Sequence, residues 1–276
     1  MTQRALFLVA LIAAIAAPAA AIDAPLPRHP APSPDGSQIA LSWQGDIWLV
    51  PATGGEARRL TVHPATERHP IWSMDGSMIA FASSRYGNTD VFVMPADGSE
   101  APTRLTYAST GDTPETFTPD GTGVVFSSNR AESVRWGSQL WTAPLAGGTP
   151  TMLQDAFGTG AEFSPDGNEM VFVRGQTRWT RRGYRGPASR DLWLREAGGR
   201  YTKLTDFDGT DDHPSWIADD TIIFLSSRAG RKNLFRLDLP TGGATQLTNH
   251  EGSAVRFPKA SANGGFVAYE FEDGIW

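Results

Sequence analysis

The sequence predicts an all-β fold, a six-bladed β-propeller of four-stranded antiparallel blades in which the last blade is truncated. Three observations support this prediction. A turn of the Ser-Pro-Asp-Gly type recurs with its aspartate at positions 35, 75, 120 and 166, which are 40, 45 and 46 residues apart. Apolar runs follow each turn, and no segment of the repeat shows a convincing helical period. Repeats of roughly 40–50 residues made of short strands are typical of propeller blades.

The repeated turn is explained by its local chemistry. It reads SPDG at 33–36 and again at 164–167, with SMDG at 73–76 and TPDG at 118–121 between them. Proline presets φ, aspartate bonds to nearby backbone, and glycine accepts the positive φ that follows. The motif is therefore expected to close the hairpin between the first two strands of a blade rather than to form a binding site.

The second and third strands of each unit are apolar at nearly every position. The second-strand runs include IAF and VVF, and the third-strand runs include DIWLV and DVFVM. Such continuous runs indicate burial on both faces, which stacked blades provide. The blades are expected to start near residues 29, 68, 113, 159, 212 and 255.

The two ends of the chain carry further predictions. Residues 1–21 combine a basic start, an apolar stretch and an Ala-rich cleavage site, which is typical of a signal peptide for export, most simply to a periplasm. Residues 22–276 are assigned to the propeller. Its sixth unit stops at Trp276, partway into the third strand, so we expect the chain to be the front part of a longer polypeptide.

Composition excludes several functions. The chain has no cysteine, so disulfides and thiol chemistry are absent, and its net charge of -6 argues against nucleic acid as a partner. After signal cleavage, no membrane association is expected. The sequence lacks the G-x-S-x-G, H-E-x-x-H and Walker A motifs, and we expect no cofactor and no bound metal.

The repeat resembles the TolB type of propeller, with a nearly complete copy at residues 69–106. A more specific resemblance is to the N-terminal six-bladed propeller of tricorn protease and its bacterial homologues. That resemblance rests on GDIWLVPATGGEARRLT (45–61), WTRRGYRGPASRDLWL (179–194) and LTDFDGTDDHPSW (204–216).

This resemblance implies a non-catalytic module of an exported serine-type peptidase. In that family the catalytic residues lie in downstream domains, so no catalytic residue is assigned here. The implied role is gating of peptide passage or contact with other domains or subunits, with peptides or downstream domains as partners and a homo-oligomer as a further option. Two alternatives stay open: a stand-alone TolB-like periplasmic scaffold, and the propeller of another hydrolase such as an amidohydrolase or a prolyl-oligopeptidase-like peptidase.

Several polar residues invite a functional interpretation that the repeat makes unnecessary. His29, His69 and His213 each precede a proline at the start of a first strand, which favours a structural role. The Ser-Ser-Arg endings at 83–85 and 226–228 are expected to form hydrogen bonds at strand ends. The acidic stretch DFDGTDDHP (206–214) lacks the ligand spacing of a calcium loop and is expected to be a solvated loop between blades.

Two extended loops between second and third strands are the sharpest local anomalies, because both bring arginine and aromatic side chains to one rim. They suit a docking surface for a peptide C-terminus or for the rest of the parent protein. The alternative is a solvated rim on which each arginine pairs with an acidic neighbour. The candidate rim residues are Arg178, Trp179, Arg181, Arg182, Tyr184, Arg185 and Arg190 in the first loop and Arg130, Arg135 and Trp136 in the second.

Overall fold

The computed structural model describes residues 26–131, 137–178, 181 and 183–276. Within these ranges the chain forms six separate antiparallel sheets in sequence order, five with four strands and the last with three. This confirms the predicted six-bladed propeller with an incomplete final blade. No helix in the described part of the chain is long and apolar enough to cross a membrane.

Each blade is a simple meander, in which consecutive strands pair with one another. The first three blades contain β1 (Arg28–Pro32), β2 (Gln38–Trp43), β3 (Asp46–Pro51), β4 (Arg58–Arg59), β5 (Glu67–Trp72), β6 (Met78–Ser83), β7 (Asp90–Pro95), β8 (Thr103–Arg104), β9 (Asp112–Phe117), β10 (Gly123–Ser128), β11 (Gln139–Pro144) and β12 (Thr151–Phe157). The last three contain β13 (Thr159–Phe163), β14 (Met170–Arg174), β15 (Asp191–Arg195), β16 (Tyr201–Lys203), β17 (Asp211–Ala218), β18 (Thr221–Ser226), β19 (Asn233–Asp238), β20 (Gly243–Gln246), β21 (Arg256–Ala260), β22 (Val267–Phe271) and β23 (Gly274–Ile275).

The repeated turn has the geometry that its residues predict. In the first blade Gly36 has φ of 75°, and its N–H donates to the Ser33 carbonyl over 2.9 Å. The Asp35 carboxylate accepts from the Ser33 hydroxyl at 2.6 Å and from the Ser37 N–H at 3.0 Å. These bonds lower the pKa of Asp35, the Ser33 hydroxyl contributing most. The turns therefore mark one end of every first strand, and we call this side of the ring the turn-bearing face.

The apolar cores lie between blades. One core joins Ile71 and Val91 of the second blade to Phe117 and Phe126 of the third, and β10 is buried along its whole length. This confirms the two-sided burial that the continuous apolar runs indicated. The opposite side of the ring carries the loops that join second to third strands and blade to blade, and we call it the loop-bearing face.

Polar contacts between the first and last blades close the ring. The backbone N–H of His29 donates to Glu270 Oε1 at 2.7 Å, and Arg28 pairs with Glu270 Oε2 at 3.0 Å. On the turn-bearing face, the side-chain amide of Asn263 donates to the Asp35 carbonyl at 2.8 Å. Among the described residues, no strand of the first blade pairs into the sixth sheet. The ring is closed there by these contacts and by two backbone hydrogen bonds, from the Leu26 N–H to the Asp273 carbonyl at 3.0 Å and from the Asn263 N–H to the Pro34 carbonyl at 3.2 Å, and not by a shared strand.

Buried ion pairs tie the ends of the inner strands together. An acid at the start of a first strand accepts from the arginine that follows the second strand of the same blade, and its own charge is almost fully buried. The predicted strand-end role of the Ser-Ser-Arg segments agrees with these bonds. The pairs are Glu67 with Arg85, Asp112 with Arg130, and Asp211 with Arg228.

Candidate functional site

The axial channel narrows at a group of four rings near the loop-bearing face. His29, His69, His213 and Phe257 project from the starts of β1, β5, β17 and β21, and we call them the axial collar. The ring centroids of His29 and His69 are 3.8 Å apart. Phe257 lies 4.6 Å from His29 and 5.2 Å from His213, both in edge-on geometry. The rings of four blades therefore meet across the axis.

The backbone explains why these side chains turn inward. Each collar residue has a left-handed φ, between 45° and 55°, which is uncommon for residues other than glycine. The pairing register of each of these four first strands also shifts across the collar position. Such bulges redirect a side chain away from the regular pleat. A proline follows every collar residue, as the His-Pro pattern of the sequence indicated.

Two histidines of the collar, His29 and His69, are held in their neutral state. Burial lowers the pKa of His29 to about 2, and the neighbouring His69 and Arg68 lower it further. Burial is also the largest cause that lowers the pKa of His69 to about 3, with Arg68 second. At neutral pH the rings of His29 and His69 can therefore pack against each other without charge repulsion.

Charged groups line the channel on the other side of the collar. Glu162 accepts from the Ser215 hydroxyl and the Trp216 N–H, both at 3.1 Å, and pairs with Lys259. Burial raises the pKa of Glu115, which lies in the same part of the channel. The space there has a volume of about 180 Å³ and opens between the repeated turns. The channel is thus aromatic towards the loop-bearing face and charged towards the turn-bearing face.

In the ranges that the structure describes, no three His, Cys, Asp or Glu side chains are grouped so that they could hold a metal ion. The space at the collar has a volume of about 110 Å³, and its walls come from the first strands of all the blades.

The base of the arginine-rich loop of the fourth blade is fixed by one backbone hydrogen bond and one side-chain hydrogen bond. The Thr177 N–H donates to the Ala188 carbonyl at 2.9 Å, and Arg190 Nε donates to the Thr177 carbonyl at 2.8 Å. The guanidinium of Arg181 stacks over the Tyr184 ring, 4.3 Å from its centroid. The loop is therefore held at its base, and it carries this stacked pair between the two ends of that base.

The predicted rim residues divide into groups with different surroundings. Arg130 and Arg190 are taken up by ion pairs with the buried Asp112 and Asp212, at 2.6 Å and 2.9 Å. Arg185 makes an exposed pair with Asp208 at 3.6 Å, and Arg178 is exposed. Four further candidates lie outside the described residues, namely Trp179, Arg182, Arg135 and Trp136.

One expectation about the acidic stretch was wrong. Asp211 and Asp212 are buried and ion-paired instead of solvated, because they begin β17 and point to its two sides. Asp211 pairs with Arg228 of its own blade, whereas Asp212 pairs with Arg190 of the blade before it. Only Asp206 and Asp208 of that stretch have exposed side chains.

The sequence reasoning also missed residues that the fold brings to the loop-bearing face. Phe257 completes the collar, and its place before a proline matches that of the three histidines, so aligning the units on this proline could have found it. Arg231, Lys232 and Arg256 lie close to Arg181 around one cavity. No local pattern signalled that grouping, because it depends on the packing of three blades.

Comparisons with known proteins bear on the whole propeller. A family model described as the tricorn protease N-terminal beta propeller domain matches residues 25–276. Tricorn protease homolog 1 of Streptomyces coelicolor is 29% identical over 252 residues, which cover 89% of this chain and 23% of that protein. The match confirms the resemblance drawn from the sequence. The chain spans about a quarter of the length of this relative.

Solved structures give the same fold. The crystal structure of the tricorn protease matches with a TM-score of 0.79 at 20% identity, covering 92% of this chain and 25% of that one. TolB from Acinetobacter baumannii matches with a TM-score of 0.66 at 20% identity, covering 84% of this chain and 56% of that one. At such identities these two matches show the fold alone.

Proposed function

Because the chain belongs to the tricorn protease N-terminal beta-propeller family, we propose that it is the non-catalytic propeller of an exported, serine-type tricorn-like peptidase and gates the passage of peptides. The parent protein would carry the catalytic residues in other domains. Export to a periplasm is supported by the signal-like residues 1–21 and by the TolB-like fold.

The axial collar is the observation that carries the gating proposal. Its four rings lie 3.8–5.7 Å apart between centroids, so they occupy the axis that an extended peptide would have to follow. A peptide passes only if these rings rotate away. A constriction made of side chains can respond to a ligand while the blades keep their positions.

Contact with other domains or subunits is a second role of the same module. The loop-bearing face supports it, because the arginine-rich loop projects there with the Arg181–Tyr184 stack. A stand-alone TolB-like scaffold is the alternative from another class of protein, and the TolB match supports it at the level of fold. The propeller of another hydrolase remains the third option.

The test compares collar variants of the full-length protein. Replacing Phe257 and His69 together by alanine should raise the turnover of long peptides relative to short ones, because the widened axis admits bulkier chains. Tyr107→Ala, an exposed off-axis aromatic, is the matched control and should leave the ratio unchanged.

Other outcomes separate the alternatives. An unchanged ratio of long to short peptide turnover in the collar variant would rule out gating and leave domain contact. The chain by itself should hydrolyse no peptide. Turnover that survives removal of contaminating proteases would overturn the non-catalytic assignment.

A further inference from the structure

A cavity of about 290 Å³ lies on the loop-bearing face between the fifth and sixth blades. The loop after β18 forms one wall, and the segment that enters β21 forms another. Arg181 reaches in from the long loop of the fourth blade. Leu225 and Val255, both buried, contribute apolar surface together with Phe257. The volume suits one or two amino-acid residues of a ligand.

The lining of this cavity is cationic. Arg181, Arg231, Lys232 and Arg256 border it, and no aspartate or glutamate does so among the described residues. Arg231 makes no ion pair or hydrogen bond through its side chain with any residue that the structure describes. Arg181 stacks on Tyr184 but has no carboxylate partner in the same ranges. Two guanidinium groups are therefore available to an anion.

The two acidic side chains that pair with Lys232 and Arg256 do not cancel the positive charge of the cavity lining. Asp212 forms ion pairs with both Arg190, at 2.9 Å, and Lys232, at 3.5 Å. Glu270 likewise pairs with both Arg28 at 3.0 Å and Arg256 at 3.1 Å. Each carboxylate is shared by two cations, which leaves positive charge at the cavity in a chain whose net charge is -6.

We propose that this cavity binds a peptide carboxylate together with the apolar residue beside it. A guanidinium matches a carboxylate through two parallel hydrogen bonds, and Arg231 and Arg181 supply such donors. The apolar floor of Leu225, Val255 and Phe257 receives the neighbouring side chain. The carboxylate belongs either to the C-terminus of a peptide or to an acidic side chain. This inference rests on the proposed function for its choice of a peptide as the ligand.

The cavity shares a wall with the axial channel. Phe257 and His213 border both spaces. A peptide held by its carboxylate would therefore lie beside the collar, and its binding would favour particular orientations of these two rings. The site thus places a ligand at the mouth of the constriction.

The experiment titrates the chain with short peptides and follows binding by calorimetry. A peptide that ends in Leu-Phe with a free carboxyl terminus should bind, and its amide should bind about tenfold more weakly, the loss expected for one charge-assisted hydrogen bond. An amidated peptide with Glu before the terminal Phe tests the other source of the carboxylate. If it binds as tightly as the free acid, the site recognises acidic side chains. Binding should weaken as salt rises, because the attraction is partly exposed to solvent.

Arg231→Gln and Arg181→Gln should each weaken binding about tenfold. Arg236→Gln is the control, because Arg236 is exposed on β19 of the same blade and does not border the cavity. Equal binding of acid and both amides, or full binding by both arginine variants, would overturn the proposal. Circular dichroism checks that each variant is folded. The measurement uses the chain alone, so its failure is distinct from an unchanged peptide-size ratio in the collar variants.

Discussion

The ring of Phe257 lies edge-on to that of His213, with centroids 5.2 Å apart and planes at 85°. Both side chains border the axial channel and the cationic cavity. A rotation of either ring would therefore alter the shape of the channel and of the cavity at the same time. This relationship couples the constriction on the axis to a site that lies off the axis.

The first prediction concerns pH. The pKa values of His29 and His69 are lowered to about 2 and about 3, so both side chains are neutral in the folded chain at mild acidity. In the unfolded chain they ionise near pH 6.5. Unfolding then takes up two protons, and the stability present above that pH is lost as the pH falls towards the folded values.

Below about pH 5.5 the free energy of unfolding should decrease by about 2.7 kcal/mol per pH unit from these two groups. Urea unfolding at several pH values measures this slope. The double variant His29→Gln and His69→Gln should have a shallower slope and a lower acid midpoint. A slope that stays the same in the double variant would show that the two histidines are not buried as neutral rings.

The second prediction compares two glycines of the same repeated turn. Gly121 and Gly167 both have left-handed φ, 68° and 74°. A Cβ on Gly121 meets nothing within 4 Å, whereas a Cβ on Gly167 would lie 2.6 Å from the Pro119 side chain. Gly121→Ala should therefore lose only about 1 kcal/mol for its backbone, and Gly167→Ala about 1–3 kcal/mol more. Thermal unfolding measures both, and equal losses would argue against close packing of these two turns.

The third prediction concerns a buried ion pair. Arg228 Nη2 lies 2.8 Å from Asp211 Oδ2, and the Asp211 side chain is fully buried. Arg228→Met leaves that carboxylate without its cation and should reduce stability by about 3–5 kcal/mol. Adding Asp211→Asn should restore much of the loss, since the uncompensated charge is then removed.

The control for this prediction is an exposed ion pair. Arg200 pairs with Glu196 at 2.8 Å, and the Arg200 side chain is 76% exposed. Arg200→Met should change stability by less than about 1 kcal/mol. Similar losses for Arg228→Met and Arg200→Met would contradict the assignment of the inner pairs as structural ties. Chemical denaturation measures both variants.

The sequence predicts well those features that depend on neighbouring residues. The turn at Gly36 needs four consecutive residues, and the buried run of β10 needs only its own apolar side chains. The arginine partners were harder to predict. Asp211 and Asp212 are adjacent, yet they pair with Arg228 and Arg190 of different blades, because successive side chains of a strand point to opposite sides.

The position before a proline marks the collar residues in the sequence, but the meeting of their rings and the cavity could not be derived from local patterns, for a related reason. Residues 29, 69, 213 and 257 come together only because the ring brings the first, second, fifth and sixth blades to one axis. The cationic cavity combines Arg181, Arg231 and Arg256, which belong to three successive blades. Their grouping depends on blade packing and on the path of a long loop, and neither follows a repeat.

Glu270 joins the first and sixth blades on the loop-bearing side of the seam. Its side chain is almost fully buried, and it joins the N–H of His29 and the guanidinium of Arg28 on one side of the seam to Arg256 on the other. One carboxylate thus fixes the start of β1, the entry to β21 and, through the backbone of His29, a member of the collar. The contact that closes the ring therefore also holds in place a residue that narrows the axial channel.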